Sequence, residues 1–184
     1  MESNLYEINE PAVIKEKNEK DITNIGSWIV FALILAVVFF TFRFVIGITV
    51  VSGNSMSPSL EDGDFLVSSN IFYTPEASDI IIFHNENGFD VIKRVIGLPN
   101  DTVEIKNGMV LINGNPLNED YIAGAPNDMA EITVSEDSYF VMGDNRTPGE
   151  SLDSRSPDVG TIARDAIRGE VLVSIYPFDL LSTK

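Results

Sequence analysis

Between Asp21 and Arg43 the chain runs for 21 residues without a charge, ITNIGSWIVFALILAVVFFTF. About 20 apolar residues in a helix span the hydrocarbon of a bilayer. A chain of 184 residues cannot wrap a helix that is apolar on every face inside its own core. The run therefore reads as a transmembrane helix over residues 22–43, with Trp28 suited to one interface and Arg43 able to snorkel at the other. A cleavable leader fits less well, because six acids and only three lysines precede the run and no Ala-x-Ala follows it.

The helix divides the chain into an acidic arm, 1–21, the span, 22–43, and a body, 44–184. Lys15, Lys17 and Lys20 flank the span on one side, against Arg43 alone on the other. Lysine and arginine stay on the cytoplasmic side, so the N-terminus is expected inside and the body on the outer face of a single-pass cell-membrane protein. The helix itself is the expected contact with lipid. The net charge of −16 excludes nucleic acid as a partner, which needs a basic face.

The body reads as mainly β. Runs rich in Val, Ile and aromatics occur at 48–51, 65–69, 79–83, 90–97, 102–105, 109–112, 131–134, 139–142 and 170–176, separated by Gly, Pro, Asn and Asp. Asn107-Gly108 is a two-residue hairpin signal, since both residues tolerate positive φ. Only Ala163–Arg168 reads as a short helical turn. An antiparallel sheet or partly open barrel is expected, with a small β-hairpin subdomain at about 100–138.

Composition narrows the chemistry. There is no cysteine, hence no thiol nucleophile and no disulfide, and the one histidine, His84, cannot build a two-histidine zinc site. No cofactor and no metal is expected. Lys93 lies in the apolar strand DVIKRVIG, where a period of two sends Lys93 and Arg94 to opposite faces, so one of them is expected to point inward. Burial disfavours an ammonium and lowers its pKa, and a neutral amine is a general base. A serine hydroxyl needs such a base before it is a useful nucleophile. The cluster GNSMSPSL, residues 53–60, supplies serines shortly after the span, although a Gly/Ser/Asn/Pro cluster also makes a plain turn.

Four segments carry a resemblance. VVSGNSMSPSLEDGDFLV, residues 50–67, resembles the serine box of bacterial type I signal peptidases, and DVIKRVIGLPND, 90–101, their lysine box. INGNPLNEDYI, 112–122, is similar to their Asn-Gly, Leu, Glu, Tyr segment, and YFVMGDNRTPGESLDSR, 139–155, to their Gly-Asp-Asn-Arg box. The blocks keep the family's order over residues 25 to about 178.

The resemblance implies a membrane-bound serine endopeptidase that removes signal peptides from exported preproteins, cutting after small residues of the Ala-x-Ala type. It makes Ser55 the nucleophile, with its own amide as an oxyanion donor, and Lys93 the general base. Met56 would shape the site, Ser151 would orient the lysine amine, and Asp153 with Arg155 would brace that region. Asp144, Asn145 and Arg146 read as turn and ion-pair residues. The chain departs from the pattern in three places. Four residues, TPGE, separate Arg146 from Ser151 where the family has two; Asn100 replaces the Gly after Pro99; Gly53 stands two before Ser55 in place of a serine.

Other classes fit the residues less well. Self-cleaving repressors share Ser-Lys chemistry but carry a DNA-binding N-terminus where this chain has a span. Histidine-type signal peptidases need His at the place of Lys93, and His84 lies nine residues early. A catalytically impaired, membrane-tethered β-domain with a binding role is the remaining alternative.

Overall fold

The computed structural model describes residues 12–69, 73–85, 88–176 and 178–180. Residues 1–11 of the expected arm and the last four of the body lie outside them. The chain divides into two units, 1–43 and 44–184. The first is built on one helix, α1 (Ala12–Phe44). Its Ile25–Phe44 stretch is long and apolar enough to cross a membrane. Trp28, Ile34 and Phe39 are each more than half exposed there, on a helix with no polar face to turn toward water.

Among its described residues the second unit is built of β-strands and loops, with one short turn of helix. Its strands are β1 (Ile46–Val50), β2 (Phe65–Ser69), β3 (Ile80–His84), β4 (Asp90–Gly97), β5 (Thr102–Lys106), β6 (Met109–Ile112), β7 (Asn115–Pro116), β8 (Met129–Thr133), β9 (Ser138–Met142), β10 (Ile162–Ala163), β11 (Ile167–Tyr176) and β12 (Phe178–Leu180). The larger sheet runs β1-β2-β11-β3-β4-β9-β10 with β12 on β11, and the smaller runs β7-β6-β5-β8. All the strand pairings are antiparallel. The larger sheet begins at β1 and ends at β10 without closing into a barrel.

The middle strands are apolar on both faces because both faces are covered. Ile80 and Ile82 join Val51, Met56, Leu60, Leu66 and Val171 in one cluster, while Ile81 and Phe83 join Val95, Tyr139, Val141 and Ile162 in another. Successive residues of a strand point to opposite faces, so β3 feeds both clusters. A third cluster, Ile96, Val103, Val110, Phe140 and Met142 among its members, ties the two sheets together.

This double coverage corrects one expectation. Lys93 and Arg94 leave β4 on opposite faces, yet both are buried, at 3% and 8% exposure. The helical turn expected at Ala163–Arg168 is also shorter: one 3-10 turn, Arg164–Ala166, after which Ile167 and Arg168 open β11. The Asn107-Gly108 hairpin joins β5 to β6 with φ of +52° and +74°, the left-handed values such a turn requires. A second turn of the same kind, Asn113-Gly114, adds β7, a strand too short to stand out in the sequence.

Candidate active site

Ser55 lies in the loop from β1 to β2. The base of the loop is closed by the Val51 amide on the Asp64 carbonyl, 2.9 Å, and the Gly63 amide on the Val51 carbonyl, 3.0 Å. The Gly53 amide donates to Asp62 Oδ1 at 2.8 Å. Inside the loop, Ser57 donates to the Asn54 carbonyl at 3.1 Å and Leu60 to the Met56 carbonyl at 3.0 Å. Met56 and Leu60 are core residues and Asn54 is exposed, so Ser55 stands half-buried at the boundary.

Lys93 reaches that boundary from β4. Its Nζ donates to Ser55 Oγ at 2.7 Å and to the Ile92 carbonyl at 2.9 Å. Burial pulls the Lys93 amine down from 10.5 to about 8. The nearby Asp153 carboxylate acts against that fall and the Arg155 guanidinium adds to it. An amine with such a value is substantially neutral near pH 8, with a lone pair in hydrogen-bond reach of a hydroxyl. A pocket of about 150 Å³ adjoins the pair, lined by Val51, Met56 and Ile92 as well as Ser55 and Lys93.

Ser151, Asp153 and Arg155 form one cluster. Asp153 accepts from Ser151 Oγ at 2.7 Å, from the Gly143 amide at 2.9 Å, and from Arg155 at both Nε, 2.8 Å, and Nη2, 2.7 Å. Burial pushes the Asp153 carboxyl up, but the Arg155 fork and charge, with the Gly143 and Ser151 donors, outweigh it and hold the group below the usual carboxylate range. The Ser151 hydroxyl is thus given to Asp153, and the second contact of the Lys93 amine is the Ile92 carbonyl.

The Gly-Asp-Asn-Arg residues hold this cluster to the Ser55 loop. The Asn145 amide donates to the Ser55 carbonyl at 3.1 Å. Asp144 receives a fork from Arg94, at 2.8 Å from Nε and 2.6 Å from Nη2, and the Arg94 guanidinium lies 4.0 Å over the Tyr121 ring. Arg146, fully buried, pairs with Glu119 through Nη1 and Nη2 and donates from Nε to the Gly143 carbonyl at 2.8 Å. Two buried arginines, each matched by a carboxylate, thereby fix the strand exit that carries Gly143. At Gly143 a side chain would collide with the Ser55 carbonyl and with Ser151. Neither Gly143 nor the Ile92 carbonyl stands out in the sequence as a site residue. The glycine's position before Asp144 was its only signal, and a main-chain carbonyl carries none.

The Ser55 hydroxyl, the buried Lys93 amine and the adjoining pocket thus stand together in an open antiparallel domain. The family model described as signal peptidase, peptidase S26, matches residues 22–176. Signal peptidase I P of Bacillus subtilis subsp. natto is 40% identical over 182 residues, covering 89% of this chain and 95% of that protein. Signal peptidase I S of Bacillus subtilis strain 168 is 35% identical over 186 residues, covering 90% and 97%. A crystal structure of a signal peptidase I from Enterococcus faecalis V583 matches 53% of this chain and 97% of its own, at 35% identity and a TM-score of 0.47. The chain belongs to the signal peptidase family, peptidase S26, as a bacterial type I signal peptidase. It is a membrane-anchored serine peptidase whose reaction is the removal of signal peptides from preproteins.

Proposed function

We propose that Ser55 and Lys93 are the catalytic dyad of this peptidase. The observation that carries the reading is the 2.7 Å contact between Lys93 Nζ and Ser55 Oγ, at a lysine whose pKa burial lowers to about 8. Neutral Lys93 takes the Ser55 proton as Oγ attacks the carbonyl at the end of the signal peptide. Among the described residues no acceptor engages the Ser55 amide, which leaves it to donate to the developing oxyanion. Lys93 then protonates the leaving amine, freeing the mature chain. It next takes a proton from water, whose oxygen attacks the acyl carbonyl, and returns that proton to Ser55 as the signal peptide leaves.

Ser151, Asp153 and Arg155 are positioning residues in this scheme, and Met56 is a wall of the substrate pocket. A cavity of about 150 Å³ walled by Met56 and Ile92 suits small side chains, in keeping with cleavage at Ala-x-Ala sites. β1, at the edge of its sheet, offers unpaired main chain to which a substrate can add as a strand. The arm 1–21 is cytoplasmic, 22–43 crosses the membrane and 44–184 is the outer catalytic domain, with about 100–138 as its subdomain.

The test compares the parent with Ser55→Ala and Lys93→Ala, each solubilised in detergent with a purified preprotein. The parent cleaves and both variants lose the reaction. Cleavage by either variant at the parent rate rejects the dyad; a parent that binds the preprotein and leaves it whole favours the binding module.

A further inference from the structure

Beside Ser151, which crowds Gly143 together with the Ser55 carbonyl, a second cleft opens. It has a volume of about 250 Å³ and lies between Asp128–Met129, where β8 begins, and Pro148–Gly149 of the TPGE turn; Ser151 and Arg155 also line it. Gly143 bears on both the Ser55 carbonyl and Ser151, so the two clefts approach each other over one residue without a side chain. The first cleft contains Ser55 and Lys93, and the second contains Ser151.

A peptide cut above Ser55 has two halves. On the dyad reading, which this inference rests on, the acyl half fills the first cleft and stays bonded to Ser55. The amine half must leave the other way. We propose that the first residues of the mature chain lie in the second cleft, with the TPGE turn as one wall and Asp128 setting their charge preference.

The polar groups of this cleft bear that out. Ser151 and Arg155 are engaged by Asp153, and Arg155 Nη1 also donates to the Arg146 carbonyl at 3.1 Å. The Arg155 charge is therefore matched inside the protein. Asp128 is exposed, and its Oδ1 accepts one long bond, 3.3 Å, from the Gly108 amide. Glu150, at the end of the turn, is exposed as well. The rim is acidic and disfavours an acidic residue early in the mature chain.

The experiment uses the full-length protein in detergent and peptides identical through the cleavage site, with Lys or Glu as the second mature residue. The parent cleaves the Lys peptide faster, by on the order of threefold in kcat/KM, the range of an exposed charge pair. Asp128→Lys inverts that ratio, while Asp165→Lys, an equal charge change at an exposed site outside the cleft, leaves it standing. Each ratio is taken within one enzyme, so a loss of folded protein cancels. Deleting Pro148 and Gly149 shrinks the gain from lengthening the mature side and spares the preference at the last signal residue. An Asp128→Lys enzyme that keeps the parent ratio overturns the inference and leaves the dyad intact. A parent that cuts neither peptide overturns both.

Discussion

Lys93 and Ser55 are 38 residues apart in the chain, and their side chains meet at 2.7 Å. One comes from the middle of a buried strand and the other from a loop whose next residue, Met56, is a core residue. The contact is therefore as rigid as the core that holds both ends. With the amine titrating at about 8, the base form is the neutral one, so kcat/KM is expected to rise with pH and to reach half its plateau near pH 8. A rate profile against pH on a peptide without titratable residues checks this; a profile flat from pH 6 to 9 goes against a lysine base.

The same burial costs stability. An unfolded lysine titrates near 10.5 and this one at about 8, so below pH 8 the folded protein holds an ammonium that its surroundings disfavour. At about 1.4 kcal/mol per pKa unit, the penalty near pH 7 is on the order of 3 kcal/mol. It fades between pH 8 and 10.5 and is absent above, where the amine is neutral in both states. Lys93→Met should be inactive yet unfold at higher urea than the parent at pH 7, with the difference closing by pH 10.5.

Strand positions and the resemblance to the serine and lysine boxes were legible because apolar runs and short motifs are local. That Arg94 is buried beside Lys93 was not: alternation assigns faces, and only the fold decides that both faces are covered. The ion pairs of Arg94 with Asp144 and of Arg146 with Glu119 join residues 50 and 27 apart, which no periodicity connects. The partner of Ser151 is a similar case. In sequence it stands near Asp153 and Arg155, but whether its hydroxyl turns to a lysine or a carboxylate depends on how the TPGE turn closes.

Arg155 and Asp153 act on Lys93 with opposite signs. The Arg155 charge lowers the lysine value and the Asp153 charge raises it. Replacing Arg155 by Met is therefore expected to move the midpoint of the pH profile upward, and Asp153→Asn to move it downward. Loss of packing alone changes the amount of active enzyme and leaves the midpoint in place. Titration of kcat/KM for the two variants separates these cases.

Gly143 is expected to tolerate no side chain. A Cβ there meets both the Ser55 carbonyl and Ser151, which are held by main-chain and carboxylate hydrogen bonds. Gly143→Ala must push the Ser55 loop away from Lys93, and even a small displacement of reacting groups costs about a hundredfold in rate. The strands that build the three clusters are untouched. Circular dichroism should therefore show a folded domain, with a melting temperature lowered by several degrees, while kcat on a peptide substrate falls by about two orders of magnitude.

The proposed orientation in the membrane rests on three lysines before the uncharged run 22–42 and one arginine after it. Lys15, Lys17 and Lys20 should keep the arm on the cytoplasmic side, with the β-domain on the other. Because the chain has no cysteine, one introduced thiol reports its own side without background. In intact cells a membrane-impermeant maleimide should label Glu136→Cys, at an exposed site before β9, and leave Asn18→Cys unlabelled until the membrane is permeabilised. Changing the three lysines to Gln removes the bias, and a fraction of Asn18→Cys should then become reachable from outside. Labelling of Asn18→Cys in intact cells with the lysines in place would reverse the assignment, and the domain would then stand on the side of the membrane where preproteins still carry their signal peptides uncut.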